Sequence, residues 1–220
     1  MPAGELWAAR GLRSLIVAPL FVAFIVATSL ACRSEDRHES HELRELGTVP
    51  PFELVDDRGQ AFTEQALRGH PTIVDFVFTR CDTICPTISA RMAELQDKLS
   101  DPPAASILLV SISVDPNHDT PEKLAAYAAK LGARPDKWRF VTGRLDRIER
   151  LVKGPFGSAM AATGVTASGA PAISHSGNFV LVDGDLTIRG IYDSGDPAKL
   201  EELMRHARYL ARTRSGSAAN

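Results

Sequence analysis

Cys81 and Cys85 are separated by Asp82, Thr83 and Ile84, and Pro86 follows directly. On a loop running into a helix, that spacing lets both sulfurs face one small ion, or approach closely enough to form a disulfide. Pro86 suits the first helical turn, where its missing N–H costs nothing. Cys85 then meets the positive end of the helix dipole, which lowers a thiol pKa and predicts a reactive thiolate. Two thiolates with the neutral imidazole of His175 make a soft set of few donors, suited to Cu(I). Structural zinc demands a fourth protein ligand. By type the nearest fourth donors are His118 and Met160, but His118 stands in a charged loop and reads as solvated, and Met160 among Ala and Gly reads as packing.

Such chemistry needs a scaffold that brings distant segments to one edge. From Val49 onward the pattern alternates strand and helix, which predicts an α/β domain with a central mixed sheet flanked by helices. Phe52 to Val55 reads as a short strand closed by Asp56-Asp57-Arg58-Gly59, and Thr63 to Leu67 as a brief helix. Thr72 to Phe78 is a near-continuous apolar run, as expected of a strand covered on both faces, and it delivers the chain to Cys81. Ile88, Met92, Leu95 and Leu99 recur at helical spacing until Asp101-Pro102-Pro103 breaks the pattern. Ile107 to Val114 reads as a second buried strand ending at Asp115-Pro116. Thr120-Pro121 opens a helix with Leu124, Ala128 and Leu131 inward and Gly132 as its stop. Trp138 to Val141 follows as a strand, Leu145 to Val152 as a helix, and Gly154 to Ala172 as a long irregular connection. Phe179 to Val182 and Leu186 to Ile191 flank the hairpin turn Asp183-Gly184-Asp185, and Ala198 to Leu210 closes the domain as a helix. In open α/β sheets the functional crevice lies off the carboxyl ends of the parallel strands, where Cys81 and Asp115 fall. If Phe179 to Val182 runs antiparallel to those strands, its start brings His175 to the same edge.

The 220-residue chain has a formal charge of -2, which suits one domain with accessory segments. Basic and acidic residues nearly balance, and no basic run is interleaved with aromatics, so the footprint of a nucleic-acid binder is missing. No serine, base and acid arrangement marks a hydrolase. Arg10 and Arg13 precede an uncharged stretch from Ser14 to Ala31, and charge returns at Arg33, Glu35 and Asp36. Residues 1–32 therefore read as a signal or membrane-anchor segment. Its length does not choose between an uncleaved helix, a lipoprotein cut after Ser29-Leu30-Ala31 and acylated on Cys32, and simple secretion. All three place the domain outside the cytoplasm, and the anchored forms hold it on the outer, periplasmic face of the cytoplasmic membrane. Three cysteines make an odd count, and Cys32 is the spare. Residues 33–48 are dense in charge and read as a solvated linker in which His38 and His41 are polar linker residues, 49–210 as the domain, and 211–220 as a disordered tail.

Three blocks in order carry a resemblance. Phe76-Val77-Phe78-Thr79-Arg80-Cys81 through Cys85-Pro86, then Ser113-Val114-Asp115-Pro116 with Asp119-Thr120-Pro121, then His175-Ser176 ahead of Val180-Leu181-Val182-Asp183, resemble the Sco/SenC family. The match spans roughly Val49 to Leu210. The resemblance implies a thioredoxin-like fold, a membrane tether, and copper held by Cys81, Cys85 and His175, as Cu(I) with Cu(II) left open. It implies delivery to the binuclear copper centre of cytochrome c oxidase, or to another copper protein, and a supporting role for Asp115. Taken alone His175 is a loop residue capping a strand; beside the cysteines and the resemblance it reads as a ligand. The alternative is an enzyme, a membrane-anchored thiol-disulfide oxidoreductase that reduces a partner's cysteines with the Cys81/Cys85 pair. A thiol peroxidase using Arg80 would leave the second cysteine and His175 without a purpose. Asp75, six residues before Cys81, departs from the apolar or aromatic residue more usual there. It reads either as a thiol's proton acceptor or as a carboxylate held by hydrogen bonds at the sheet's edge.

Overall fold

The computed structural model describes residues 43–81, 85–154, 156–157, 161–165, 171–174 and 177–217. Its strands are β1 (Gly47–Thr48), β2 (Glu53–Asp56), β3 (Ala61–Thr63), β4 (Thr72–Val77), β5 (Leu108–Ser113), β6 (Trp138–Thr142), β7 (Ala161–Val165), β8 (Pro171–Ser174), β9 (Asn178–Val182) and β10 (Thr187–Asp193). Its α-helices are α1 (Cys85–Lys98), α2 (Pro121–Lys130), α3 (Leu145–Lys153) and α4 (Pro197–Ser217). Eight strands form one sheet in the order β1-β10-β9-β4-β5-β6-β2-β3, with β4, β5 and β6 parallel and the other pairings antiparallel. The expected mixed sheet is present.

Alternation along the central strands divides the core into two layers. Ile73, Leu109, Trp138, Phe140, Phe179 and Leu181 pack with α1, α2 and α4 on one face. Val74, Phe76, Val110, Ile112, Val180 and Val182 pack with Ile148 and Leu151 of α3 on the other. Both faces of β4 are covered, which is why its six residues are all buried and its sequence reads as a near-continuous apolar run broken by Asp75. The predicted anchors of α1, Ile88, Met92, Leu95 and Leu99, are all buried. Thr120 caps α2 by accepting the Lys123 N–H, and Gly132 ends that helix at a φ of 67°.

Four segments differ from the sequence reading. Leu43 packs into the core, Leu46 and Val49 donate to Ile188 and Leu186, and β1 extends the sheet, so residues 43–48 belong to the domain rather than to the linker. The connection after α3 is not irregular throughout: β7 and β8 pair as an antiparallel ribbon with a bulge between Ala162 and Gly164. Small residues there hide the alternation of Thr163, Val165 and Ile173 that a ladder needs. In the last hairpin the left-handed turn residue is Leu186 at a φ of 71°, while the Asp183 carboxylate closes the turn by accepting the Asp185 and Thr187 N–H groups. Finally, α4 continues through Ser217 rather than stopping at Leu210, because Ala207 and Ala211 lie on one face and both are buried against the core. Among the described residues no helix is long and apolar enough to cross a membrane. The expected anchor at 1–32, Cys32, His38 and His41 lie outside them.

Candidate metal centre

β4 ends at Val77, and four residues later Cys81 sits just off the carboxyl end of the parallel strands. Cys81 is held back toward the strand by its N–H, which donates to the Phe78 carbonyl at 3.2 Å. Cys85 opens α1, and its backbone N–H donates to Cys81 Sγ at 3.4 Å. The first sulfur thus occupies the N-terminus of the helix that carries the second. Neither cysteine is in a disulfide; Cys81 is half-buried and Cys85 is buried.

The expectation of a reactive thiolate at Cys85 is reversed. Burial, the hydrogen bond its thiol gives to Cys81, and the nearby charges of Cys81 and Asp75 push the Cys85 pKa well up, and a backbone hydrogen bond from Phe78 only partly offsets them. A helix N-terminus stabilises an anion chiefly through N–H groups aimed at it. Here the Cys85 N–H is aimed at the Cys81 sulfur, and the Cys85 side chain points inward. The pair is therefore asymmetric, one sulfur presented and one recessed.

Asp75 is not at the sheet's edge. β4 lies between β9 and β5, and Asp75 is fully buried on the face that α1 covers. Its Oδ1 accepts the Ser111 hydroxyl at 2.5 Å, and Ser111 in turn accepts the Trp138 indole N–H at 2.8 Å. Oδ2 has no hydrogen-bond partner among the described residues. Burial pushes the Asp75 pKa up to about 7, against the Ser111 hydroxyl and its own backbone N–H, which favour the charge. Tyr127, hydrogen-bonded to Ser89 at 2.9 Å, feels the same charges of Cys85, Asp75 and Cys81.

The turn after β5 braces the segment before Cys81. Asp115, nearly buried, accepts Arg80 Nε at 2.6 Å, so Arg80 is an ion-pair partner as well as a charge beside the loop. Asp119 binds Thr79 and Ser113. The sequence reading passed over Thr79, Ser113 and Asp119 as functional residues; the signal available was their place inside two of the resemblance blocks. His118, half-buried, lies 3.3 Å from Lys123 Nζ through Nδ1.

His175 and Met160 lie outside the described residues. What the structure gives is the approach to His175: β9 runs antiparallel to β4 with Val74 opposite Val180, so its first residue, Asn178, is at the carboxyl end of β4. The Gly177 carbonyl is fixed there by the Ser194 N–H at 3.0 Å. Among the described residues no group of three or more His, Cys, Asp and Glu stands ready to hold a metal ion. Two neighbouring sulfurs are nevertheless a soft donor pair, which fits Cu(I) better than it fits oxygen-seeking cations.

A family model described as SCO1/SenC matches residues 41–211. The chain belongs to the SCO1/SenC family. Its fold is shared with solved Sco structures. A SCO1/SenC family lipoprotein from Bacillus anthracis is 29% identical with a TM-score of 0.66, over 74% of this chain and 95% of that one. Bradyrhizobium japonicum ScoI, solved with copper bound, is 26% identical with a TM-score of 0.61, over 74% and 99%. BsSco, a member of the Sco family of cytochrome c oxidase assembly proteins in which a disulfide switch was identified, is 29% identical with a TM-score of 0.63, over 74% and 93%. The sheet and its helices are accordingly thioredoxin-like, as the resemblance implies.

Proposed function

We propose that this SCO1/SenC chain is a copper-binding chaperone of the cell envelope, which holds Cu(I) through Cys81, Cys85 and His175 and delivers it to the binuclear copper centre of cytochrome c oxidase. The observation that carries this reading is the meeting of the two sulfurs at the edge where β4 ends and β9 begins, with Cys81 Sγ on the Cys85 N–H. Copper is cargo here, so a site with one sulfur presented and one recessed suits exchange onto a partner's ligands. The copper-bound ScoI relative and the place of BsSco among cytochrome c oxidase assembly proteins support the metal and the recipient. The lipoprotein relative supports an envelope location with residues 1–32 as signal or anchor.

The test is a Cu(I) titration of the reduced full chain against a competing chelator. Wild type is expected to bind one tight equivalent. Cys81→Ser and His175→Ala are each expected to weaken it by more than about 100-fold, beyond the loss typical of an outer-shell change. Binding that ignores His175 would overturn the three-ligand site.

A second reading, thiol-disulfide exchange, is favoured by the asymmetric reduced pair and by Asp75 beneath it. Cys81 would attack a partner disulfide, forming a mixed disulfide and releasing one partner thiol. Cys85 would then displace the second, leaving Cys81–Cys85 oxidised and the partner reduced by two electrons. This route needs only the cysteines, so His175→Ala would spare it while abolishing copper retention.

A further inference from the structure

We infer that Asp119 is a positioning residue for Cys81, acting through Thr79, so that Thr79, Ser113 and Asp119 form a buried clamp that shapes the cysteine segment. The inference rests on the copper-site reading above.

Asp119 lies in the turn between β5 and α2 and is fully buried. Its Oδ1 accepts the Thr79 hydroxyl at 2.6 Å. Its Oδ2 accepts the Thr79 backbone N–H at 3.1 Å and the Ser113 hydroxyl at 2.6 Å. Ser113 Oγ accepts the Asp115 N–H at 3.2 Å, and the Asp119 N–H donates to the Asp115 carbonyl at 2.9 Å. One carboxylate thereby ties the last residue of β5, the turn behind it, and the second residue beyond β4 into a closed circuit.

Thr79 is where such a tie matters. The β4–β5 ladder ends at Val77 opposite Ser113, so no ladder pairing among the described residues fixes the chain between there and Cys81. Asp119 takes both the main-chain and the side-chain donor of Thr79, and Asp115 takes Arg80, the residue next to Cys81. Two sulfurs that must meet on one ion tolerate displacements of only about 0.5 Å. Beyond the clamp, Cys81 is held by the Phe78 carbonyl and by the Cys85 N–H on its sulfur. A satisfied buried carboxylate also stabilises the fold, so the test separates positioning from stability.

In the full chain, Asp119→Asn removes one acceptor oxygen, Thr79→Val removes the hydroxyl at nearly constant shape, and Thr79→Ser keeps it. Two readouts are taken: Cu(I) affinity by chelator competition, and the ratio of iodoacetamide labelling at Cys81 to that at Cys85 in reduced, copper-free protein. Asp119→Asn and Thr79→Val are each expected to weaken Cu(I) by about 10- to 100-fold and to shrink the labelling ratio at least about tenfold. Thr79→Ser is expected to match wild type in both. Should Asp119→Asn fail to fold, the Thr79 pair decides alone. Thermal midpoints that fall while both readouts stay within about twofold of wild type would overturn the inference. If wild type itself fails to retain Cu(I), the copper reading fails, and the labelling ratio still decides the clamp.

Discussion

Reduced, copper-free protein treated with iodoacetamide at pH 8 is expected to lose its Cys81 thiol at least about 100-fold faster than its Cys85 thiol. Iodoacetamide reacts with thiolate, and each unit by which a pKa exceeds the pH removes a factor of about ten from that form. The Cys85 pKa is raised by burial first, then by its hydrogen bond to Cys81 and by the charges of Cys81 and Asp75. Cys85 is also only 3% exposed, so the reagent meets little of it. Raising the pH from 7 to 9 should speed Cys85 labelling little in absolute terms, because its thiol stays largely protonated across that window. Mass spectrometry of timed samples resolves the two sites, and comparable rates would refute the asymmetry. On the proposed function, the more exposed Cys81 is the sulfur that a copper acceptor or a partner disulfide would meet first. Cys81→Ser should accordingly leave a Cys85 thiol that is nearly inert to the reagent.

That asymmetry was not readable from spacing. A cysteine at the first position of a helix predicts a lowered pKa if its sulfur faces the N–H groups. Which way the side chain turns depends on packing, and the inward face of α1, with Cys85, Ser89 and Met92 all buried, belongs to the core. The scaffold was more legible, for a physical reason. β4, β5 and β9 are covered on both faces and are apolar at most positions, and α1 must show its core face at helical spacing, so both patterns survive in the sequence. The ribbon of β7 and β8 has no such run of large residues in its sequence, only a stretch rich in small ones. Residues 43–48 read as tether because their hold on the domain is mostly main-chain, apart from Leu43 and the Arg189 contacts to Leu43 and Glu45. Polar residues in the site divide the same way. Cys81 and Asp115 fall just beyond strand ends, and Cys85 at the helix start that follows, where function is sought, whereas Asp119 acquires meaning only once Thr79 is seen to bring it both donors.

Asp75 is a buried acid whose removal should strengthen the fold above neutral pH. Its carboxyl titrates at about 7 in the folded protein against an ordinary 3.8. An acid whose folded pKa is raised contributes most stability below its unfolded value and loses that contribution as pH rises through the folded one. Between about pH 4 and pH 7 the unfolded chain has given up this proton while the folded chain still holds it, so stability falls as pH rises. Above about pH 7 the folded protein carries a buried charge whose Oδ2 has no hydrogen-bond partner among the described residues, and the penalty is complete. The shift caps that penalty at about 4 kcal/mol. Asp75→Asn keeps an oxygen for the Ser111 hydroxyl but places an amide N–H pair where no acceptor is found among the described residues, which returns about 2 kcal/mol of the gain. The expected result is a variant about 2 kcal/mol more stable than wild type at pH 8, or about 5 °C in thermal midpoint, with the advantage gone by pH 4. Denaturant melts across that range would show it, and a difference that does not change with pH would refute it. The same variant probes the thiols: with the negative charge beneath it removed, Cys85 should label faster at pH 8 than in wild type. Unchanged Cys85 labelling would mean that Asp75 burdens the fold without acting on the cysteine pair, and the thiol-exchange reading would lose one of the two observations that favour it.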